Sequence, residues 1–129
     1  MYSEMVMEHF TEPKNVGLMK DADSIGVMGD GDCGDQCVIF IKVDEGRIKR
    51  CSFLVFGCAP AIASGSMTTV LAQGKTLDEA LAISEEDILQ ALGGLPEVKK
   101  HCSNLGAAAL HAAVEEYLGK TSSTADDVV

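Results

Sequence analysis

The chain has 129 residues and a formal net charge of -10, from ten Lys and Arg against twenty Asp and Glu. This length is enough for one compact domain with a real core, and the acidic balance disfavours a nucleic-acid partner because it repels phosphate backbones. Hydrophobic residues make up 47% of the chain but aromatic residues only 5%. The core must therefore be aliphatic, which suits helices packed on a small sheet.

The first fifteen residues lack the features of a targeting sequence. They contain neither a basic stretch followed by an apolar run nor the Arg-rich, acid-poor character of a transit peptide. No apolar run reaches the ~18 residues that a membrane span needs. We therefore expect a cytoplasmic protein with no membrane partner, whose five cysteines lie in a reducing compartment and are at least partly free or bound to metal.

The N-terminal half predicts a short helix followed by strands. Apolar residues at helical spacing follow Ser3, a candidate N-cap, and the helix should end before Pro13. A brief apolar stretch at residues 25–28 predicts a first strand. Residues 36–43, which are rich in β-branched side chains, and the strand Arg47–Phe56 then predict an antiparallel hairpin around an acidic turn with a glycine.

After the hairpin the pattern predicts a run of three helices. The first begins after Cys58, with Pro60 in its first turn, and ends near Gly74. Each of the next two begins with a capping box of the [ST]-x-x-[DE] type, in which two side chains satisfy each other's backbone groups. The two boxes are Thr76 with Glu79 and Ser84 with Asp87.

The last helix is predicted to be the longest, from Pro96 to about Leu118. Residues 119–129 are polar and lack a periodic apolar face, so we expect them to form a flexible tail on a single domain of residues 1–118. The whole pattern predicts an α+β fold, with a small antiparallel sheet of about three strands and helices packed on one of its faces.

Several residues with chemical potential are interpreted as structural. Cys37 and Cys51 each share a strand face with apolar neighbours, and buried free cysteine commonly behaves as a small hydrophobe. We therefore assign both thiols to the core. His9 and His111 lie on predicted helices away from the junctions between elements, and we interpret them as surface or packing residues.

The other three cysteines lie at junctions between predicted elements, which can converge at one end of a sheet. Cys33 and Asp35 flank Gly34 before a strand. Cys58 lies between a strand and a helix, and the pair His101 and Cys102 lies early in the last helix. Thiolates and imidazole suit iron, iron-sulfur clusters and zinc, whereas a carboxylate binds a sulfur-rich cluster more weakly. The set predicts a site that holds metal less firmly than four thiolates would.

Three motifs give the chain a family resemblance. In order, they are CGD at residues 33–35, FGCAPAIASGS at 56–66 and LPEVKKHCS at 95–103. Together they closely resemble the IscU/NifU N-terminal type of iron-sulfur cluster assembly scaffold. The segment EPKNVG at residues 12–17 looks like that family's N-terminal signature, with Tyr2 at the position of its early tyrosine. The resemblance covers residues 1 to about 118.

The resemblance implies a scaffold and carrier, with no enzymatic turnover of its own. On such a scaffold a [2Fe-2S] cluster is built from iron and from sulfur supplied by a cysteine desulfurase, and is then passed to apo-proteins. Carried over motif by motif, the family's site residues are Cys33, Asp35, Cys58, His101 and Cys102. The family's favoured persulfide acceptor corresponds to Cys102.

One alternative function uses the same residues, and one segment of the chain departs from the family's pattern. A zinc-binding sulfur-relay protein that carries persulfide on Cys102 would use the same residues, and zinc could also fill a scaffold that holds no cluster. The family's LPPVK segment is LPEVK here, with Glu97 in place of the second proline and Lys99 retained. That departure weakens the implied recognition by a dedicated chaperone. The sequence leaves open whether the protein forms a homodimer.

Overall fold

The computed structural model describes the backbone of residues 3–30, 35–95 and 101–128, and side chains in these ranges except at 30, 101–103 and 120–128. In chain order the elements are α1 (Glu4–Thr11), β1 (Ser24–Asp30), β2 (Asp35–Asp44), β3 (Arg47–Phe56), α2 (Ala59–Ala72), α3 (Leu77–Leu81), α4 (Glu85–Ala91) and α5 (His101–Val128). The strands form one antiparallel sheet in the order β1-β2-β3. The predicted α+β fold with a three-stranded sheet is therefore confirmed.

The hairpin between β2 and β3 turns at Glu45 and Gly46. Both residues have positive φ, 53° and 77° respectively. Positive φ at both central positions belongs to the turn that matches the twist of paired strands. Strand pairing begins at Asp44 and Arg47 and continues to Gln36 and Phe56, with one irregularity near the turn.

One face of the sheet carries the core. Side chains alternate along a strand, so the odd-numbered residues of β2 share this face. Ile39, Ile41 and Phe53 on this face are fully buried, and α2 and α5 cover them. Helix α2 lies close to β3 because Gly65 has no side chain: a Cβ there would be 2.6 Å from the Phe53 ring.

The direction of α5 follows from two contacts with β1. The hydroxyl of Ser24 donates to the carbonyl oxygen of Ala113 at 2.6 Å. Two residues further along β1, Gly26 lies against the backbone of Ala109, where a Cβ would overlap the carbonyl oxygen. Helix α5 therefore runs antiparallel to β1, and its N-terminal end lies at the end of the sheet where β1 finishes and β2 begins.

The opposite face of the sheet is crossed by the segment that leads into β1. This segment starts at the outer edge of β3, where Val16 forms a parallel bridge with Phe53. It then reaches Arg50, whose guanidinium lies 2.6 Å from the Asp21 carboxylate. Arg50 projects from the face away from the core, because strand alternation places it opposite to the buried Cys51. The helices thus pack on one face, as predicted.

Helix α5 is longer than predicted. The sequence predicts an end near Leu118, whereas the helix continues to Val128. No proline or glycine follows Gly119 to end it, and the polar residues beyond are compatible with a solvated helix. The predicted start at Pro96 falls outside the described residues. The division into a domain of residues 1–118 and a tail of 119–129 stays a prediction.

Long helices can raise the question of membrane insertion. Across the described ranges, no helix combines the length and the apolar character needed to cross a bilayer.

Candidate metal centre

The centre of the candidate site is a contact between Asp35 and Cys58. The Cys58 thiol donates to Oδ2 of Asp35 at a sulfur to oxygen distance of 3.3 Å. Asp35 is 7% exposed, and Cys58 is half-buried. Two of the five residues predicted from the sequence are therefore adjacent, although one begins β2 and the other follows the end of β3.

Strand pairing explains why these two residues meet. Asp35 is the first residue of β2, and the next residue, Gln36, pairs with Phe56 at the end of β3. The chain continues from Phe56 through Gly57, so Gly57 lies beside Asp35 and Cys58 follows immediately. The antiparallel register thus brings the start of one strand to the exit of the next.

The Cys58 side chain does not cap the helix that follows it. Cys58 occupies the N-cap position of α2, with extended backbone angles and no side-chain capping bond. Pro60 lies in the first turn of the helix, where its missing N–H costs nothing. The backbone of Cys58 still serves the helix, because its carbonyl oxygen accepts from the Ile62 N–H at 3.1 Å. The thiol therefore does not cap α2 and lies against the Asp35 carboxylate.

The N-terminal end of α5 lies at the same end of the sheet. From Ala109 the helix rises about 10 Å back to Cys102, at about 1.5 Å per residue. From Gly26 strand β1 advances about 13 Å to Asp30, at about 3.3 Å per residue. Since α5 is antiparallel to β1, the backbone of His101 and Cys102 lies roughly level with the last residues of β1. The described backbone therefore places the start of α5 at this end of the sheet, and the convergence of the five side chains stays a prediction.

Close packing between α5 and α2 reinforces this placement. A Cβ at Gly106 would lie 3.0 Å from the Ser64 hydroxyl and would overlap the Thr68 hydroxyl oxygen. Gly106 is one turn beyond Cys102 in α5, and Ser64 lies in the first half of α2. The two helices that begin near the candidate ligands are thus held against each other close to their N-terminal ends.

The other residues predicted for the site are described only in part. Cys33 and Lys99 fall outside the described residues, and for His101 and Cys102 the backbone alone is described. Among the side chains that are described, no group of three or more His, Cys, Asp or Glu is placed to hold a metal ion. The five-residue site thus stays a prediction, with the Asp35 and Cys58 pair as its described part. This pair offers one sulfur and one oxygen donor, which fits a cargo of iron and sulfide.

The two other described cysteines belong to the core, as predicted. Cys37 is 2% exposed and Cys51 is 1% exposed. Burial raises the pKa of the Cys37 thiol to about 12. Burial, with a smaller effect of Cys37, raises the pKa of the Cys51 thiol to about 12 as well. Neither thiol is therefore available as a thiolate near neutral pH. Among the described cysteines, Cys37 and Cys51 thus serve packing, whereas Cys58 lies at the candidate site.

Both described histidines are packing residues. Nδ1 of His9 is 2.6 Å from the Ser66 hydroxyl, and the residue is 4% exposed. Nε2 of His111 is 2.7 Å from the carbonyl oxygen of Ile83, so this nitrogen donates. The interpretation of His9 and His111 as non-ligands is consistent with these contacts.

Two contributions to the site region are missed by sequence reasoning. One is Gly57, which borders the Asp35 carboxylate. The other is the attachment of the EPKNVG segment to α2. The Ser66 hydroxyl accepts from the Lys14 N–H at 2.8 Å, and the Asn15 amide donates to the Thr69 hydroxyl at 3.1 Å. Buried hydroxyls inside an otherwise apolar helix are the signal that could have indicated this attachment.

Comparison with known proteins supports one family. A family model described as the NifU-like N terminal domain matches residues 1–124. The "Iron-sulfur cluster assembly scaffold protein IscU 1" of Archaeoglobus fulgidus is 51% identical over 120 residues, which cover 93% of this chain and 78% of that protein. The "Iron-sulfur cluster assembly scaffold protein IscU" of Aquifex aeolicus is 44% identical over 121 residues, covering 92% and 77% respectively.

A solved structure supports the fold. The N-terminal part of a nitrogen-fixing NifU-like protein from Brucella abortus superposes with a TM-score of 0.75. The match covers 92% of this chain and 94% of that one, at 19% sequence identity. At this identity the similarity concerns the arrangement of strands and helices alone.

Proposed function

Because the chain belongs to the family of NifU-like N-terminal domains, we propose that it is a scaffold on which iron-sulfur clusters are assembled and from which they are transferred. The relatives named as assembly scaffolds share up to 51% of their aligned residues with it over most of its length. The structural observation that supports a cluster site is the 3.3 Å contact between the Cys58 thiol and the Asp35 carboxylate.

The cargo proposed is a [2Fe-2S] cluster held by residues from three places in the chain. Cys33, Cys58 and Cys102 would supply three thiolates. Asp35 would supply the fourth ligand, and His101 could exchange with it. A site with three thiolates and one weaker oxygen or nitrogen ligand holds a cluster less tightly than four thiolates do.

This ligand set suits a protein that must give its cluster away. An acceptor protein takes the cluster by replacing the scaffold's ligands with its own thiolates. The Asp35 position is the one at which such replacement would start, because a carboxylate is the weakest partner for sulfide-bridged iron. We therefore propose that Asp35 keeps the cluster labile. In Asp35→Ala the exchange partner His101 would hold the fourth position, and imidazole suits an iron-sulfur cluster better than a carboxylate does. The loss of the cluster should therefore slow, and unchanged transfer kinetics would refute this role.

The proposed partners follow from the same chemistry. A cysteine desulfurase would supply sulfur as a persulfide, with Cys102 as the proposed acceptor. Persulfide sulfur must be reduced to sulfide before it bridges iron, so a thiol or another reductant has to take part. Apo-proteins that need a cluster would be the recipients.

The proposed function is tested by anaerobic visible spectroscopy. The apo-protein is mixed with ferrous iron, cysteine, dithiothreitol as reductant and a catalytic amount of a cysteine desulfurase, and an apo-ferredoxin is then added. We expect sulfide-to-iron charge-transfer bands to grow on this protein and to pass to the ferredoxin. The absence of these bands, together with tight zinc binding and persulfide on Cys102, would instead indicate a zinc-binding sulfur relay.

A further inference from the structure

Gly57 has a specific steric relationship with the Asp35 carboxylate. A Cβ at Gly57 would lie 2.6 Å from Oδ1, 2.7 Å from Cγ and 3.1 Å from Cβ of Asp35. All three contacts are with the same side chain. Real Cβ atoms essentially never approach other heavy atoms to less than 3.0 Å, so an alanine at Gly57 and the observed Asp35 conformation exclude each other.

Backbone conformation does not account for the glycine. Gly17, Gly46, Gly74, Gly93 and Gly94 have positive φ, the region in which a side chain is strained. Gly57 is outside this group, so its φ is one that other residues adopt. The space taken up by Asp35 is therefore the physical reason for a glycine at this point.

We propose that Gly57 is a positioning residue, whose missing side chain lets the Asp35 carboxylate lie beside the Cys58 sulfur and act as the exchangeable ligand of the cluster. This inference rests on the proposed function. It assigns the lability of the cluster to two residues, one that supplies the carboxylate and one that makes room for it.

The expected response to Gly57→Ala depends on which neighbour of Gly57 can move, Cys58 or the Asp35 side chain. Cys58 is held by its place between β3 and α2, and its carbonyl accepts a helical bond from Ile62. Asp35 is short, and rotation about its Cα–Cβ bond moves both carboxylate oxygens. The added methyl group would therefore drive the carboxylate away from Gly57, and the 3.3 Å contact with the Cys58 sulfur would be lost.

A double-mutant cycle tests whether Gly57 acts through Asp35. The proteins compared are the wild type, Gly57→Ala, Asp35→Ala, the double variant, and Gly29→Ala as the control. The control lies at the same end of the sheet, but a Cβ there would meet only the Asp35 carbonyl oxygen, at 3.7 Å, an ordinary contact. The rate of cluster loss to apo-ferredoxin is measured by visible absorption.

A second readout needs no cluster. In each apo-protein that retains Asp35, the carboxyl carbon of this residue is observed by NMR. We expect its resonance to move in Gly57→Ala and to stay in place in Gly29→Ala. A purely structural effect elsewhere in the fold would leave this signal unchanged.

The inference predicts non-additive kinetics. Gly57→Ala and Asp35→Ala should each slow cluster loss, and by the same factor, because both remove the carboxylate from the cluster. The double variant should match Asp35→Ala, because the methyl group at Gly57 has no carboxylate left to displace. Wild-type kinetics in Gly57→Ala, or effects that multiply in the double variant, would overturn the inference.

Two further outcomes are decisive. If Gly57→Ala fails to fold, the double variant should fold, because the overlapping carboxylate atoms are gone; a double variant that also fails would show that Gly57 is needed for another reason. If the wild type forms no cluster at all, the proposed function fails, while the NMR comparison still tests the steric relationship by itself.

Discussion

Gly26 of β1 and Ala109 of α5 approach each other so closely that a side chain at Gly26 would overlap the carbonyl oxygen of Ala109. The obstacle is backbone of a long helix, which cannot rotate out of the way as a side chain can. This contact, with the Ser24 hydroxyl bonded to Ala113, sets both the distance and the direction of α5 relative to the sheet.

Gly26→Ala is therefore expected to destabilise the protein by at least about 2 kcal/mol, because overpacking forces backbone shifts. Urea unfolding followed by circular dichroism measures the change. Gly29→Ala is the matched control in the same strand, since a Cβ there would meet no atom closer than 3.7 Å. It should change the free energy of unfolding by about 0.5 kcal/mol or less. Equal effects of the two substitutions would contradict the assigned contact.

The cysteines should separate into two classes by mutation. Cys58→Ala is expected to abolish cluster assembly at little cost in stability, because the thiol is half-buried and caps no helix. Cys51→Ala removes a fully buried sulfur, and should cost about 1 kcal/mol of stability while cluster assembly continues. Visible spectra after reconstitution and urea unfolding of the apo-proteins measure the two effects. If Cys51→Ala abolished cluster assembly while Cys58→Ala only lowered stability, both assignments would be wrong.

Stability should decline at alkaline pH because of the core thiols. The folded state keeps the Cys37 and Cys51 protons to about pH 12, whereas an unfolded chain releases them above its ordinary pKa of 9.0. The stabilising effect is complete below pH 9.0 and is lost as the pH rises toward 12. Urea unfolding across this range measures the slope.

The variant with both Cys37→Ala and Cys51→Ala provides the comparison for this slope. It lacks both buried thiols, so its stability should fall less steeply above pH 9.0 than that of the wild type. The slope is the informative quantity, because the substitutions lower the stability at every pH. Parallel curves would show that the two thiols do not titrate as their burial implies.

Stability should also decline on the acid side because of His9. Burial lowers the pKa of this histidine below its ordinary value of 6.5, against a smaller raising effect of Glu8. An unfolded chain therefore takes up the proton at a higher pH than the folded protein does. Stability should fall as the pH drops below 6.5, until the folded protein is protonated as well.

Thermal unfolding at a series of pH values measures the contribution of His9. His9→Gln keeps a polar group near the Ser66 hydroxyl but cannot titrate, so it should lack this part of the pH dependence. Ser66→Ala should lower stability at every pH, because it also removes the acceptor of the Lys14 N–H. A wild-type pH profile in His9→Gln would assign the acid sensitivity to other groups.

Ser3 links the first helix to the end of α4. Its hydroxyl oxygen accepts from the Val6 N–H at 3.1 Å, and its O–H donates to the carbonyl oxygen of Leu92. Ser3→Ala should cost about 1 to 2 kcal/mol and speed hydrogen exchange of the α1 amides. Ser84→Ala removes an exposed cap of α4 and should cost about 1 kcal/mol without affecting α1. Unchanged exchange in Ser3→Ala would refute the link.

Features that depend on neighbours in sequence were predictable. The two capping boxes form as the spacing indicates, with Thr76 accepting from the Glu79 N–H and Ser84 from the Asp87 N–H. The burial of Cys37 and Cys51 follows from alternation along a strand. The contact between Asp35 and Cys58 was predictable in outline, since β2 begins where β3 ends in an antiparallel hairpin.

Features that depend on the approach of distant segments were not predictable. Nothing near Gly57 in sequence indicates that its neighbour in space is the Asp35 carboxylate, because the hairpin register decides this. The same holds for Gly26 and Ala109, whose contact requires a particular helix direction. The predicted end of α5 is too early because low hydrophobicity after Leu118 indicates exposure, and an exposed helix is as polar as a coil.

The bridge between Val16 and Phe53 also bears on self-association. The Phe53 N–H donates to Asn15 at 3.0 Å, and its carbonyl oxygen accepts from the Gly17 N–H at 2.9 Å. Further along the same edge, Ile48 exchanges backbone bonds with the chain just after α2. An uncovered edge strand is a template on which another chain can extend a sheet into an aggregate. Here β3 is already occupied along much of its outer side, so in the described part of the sheet such templated growth is directed to β1.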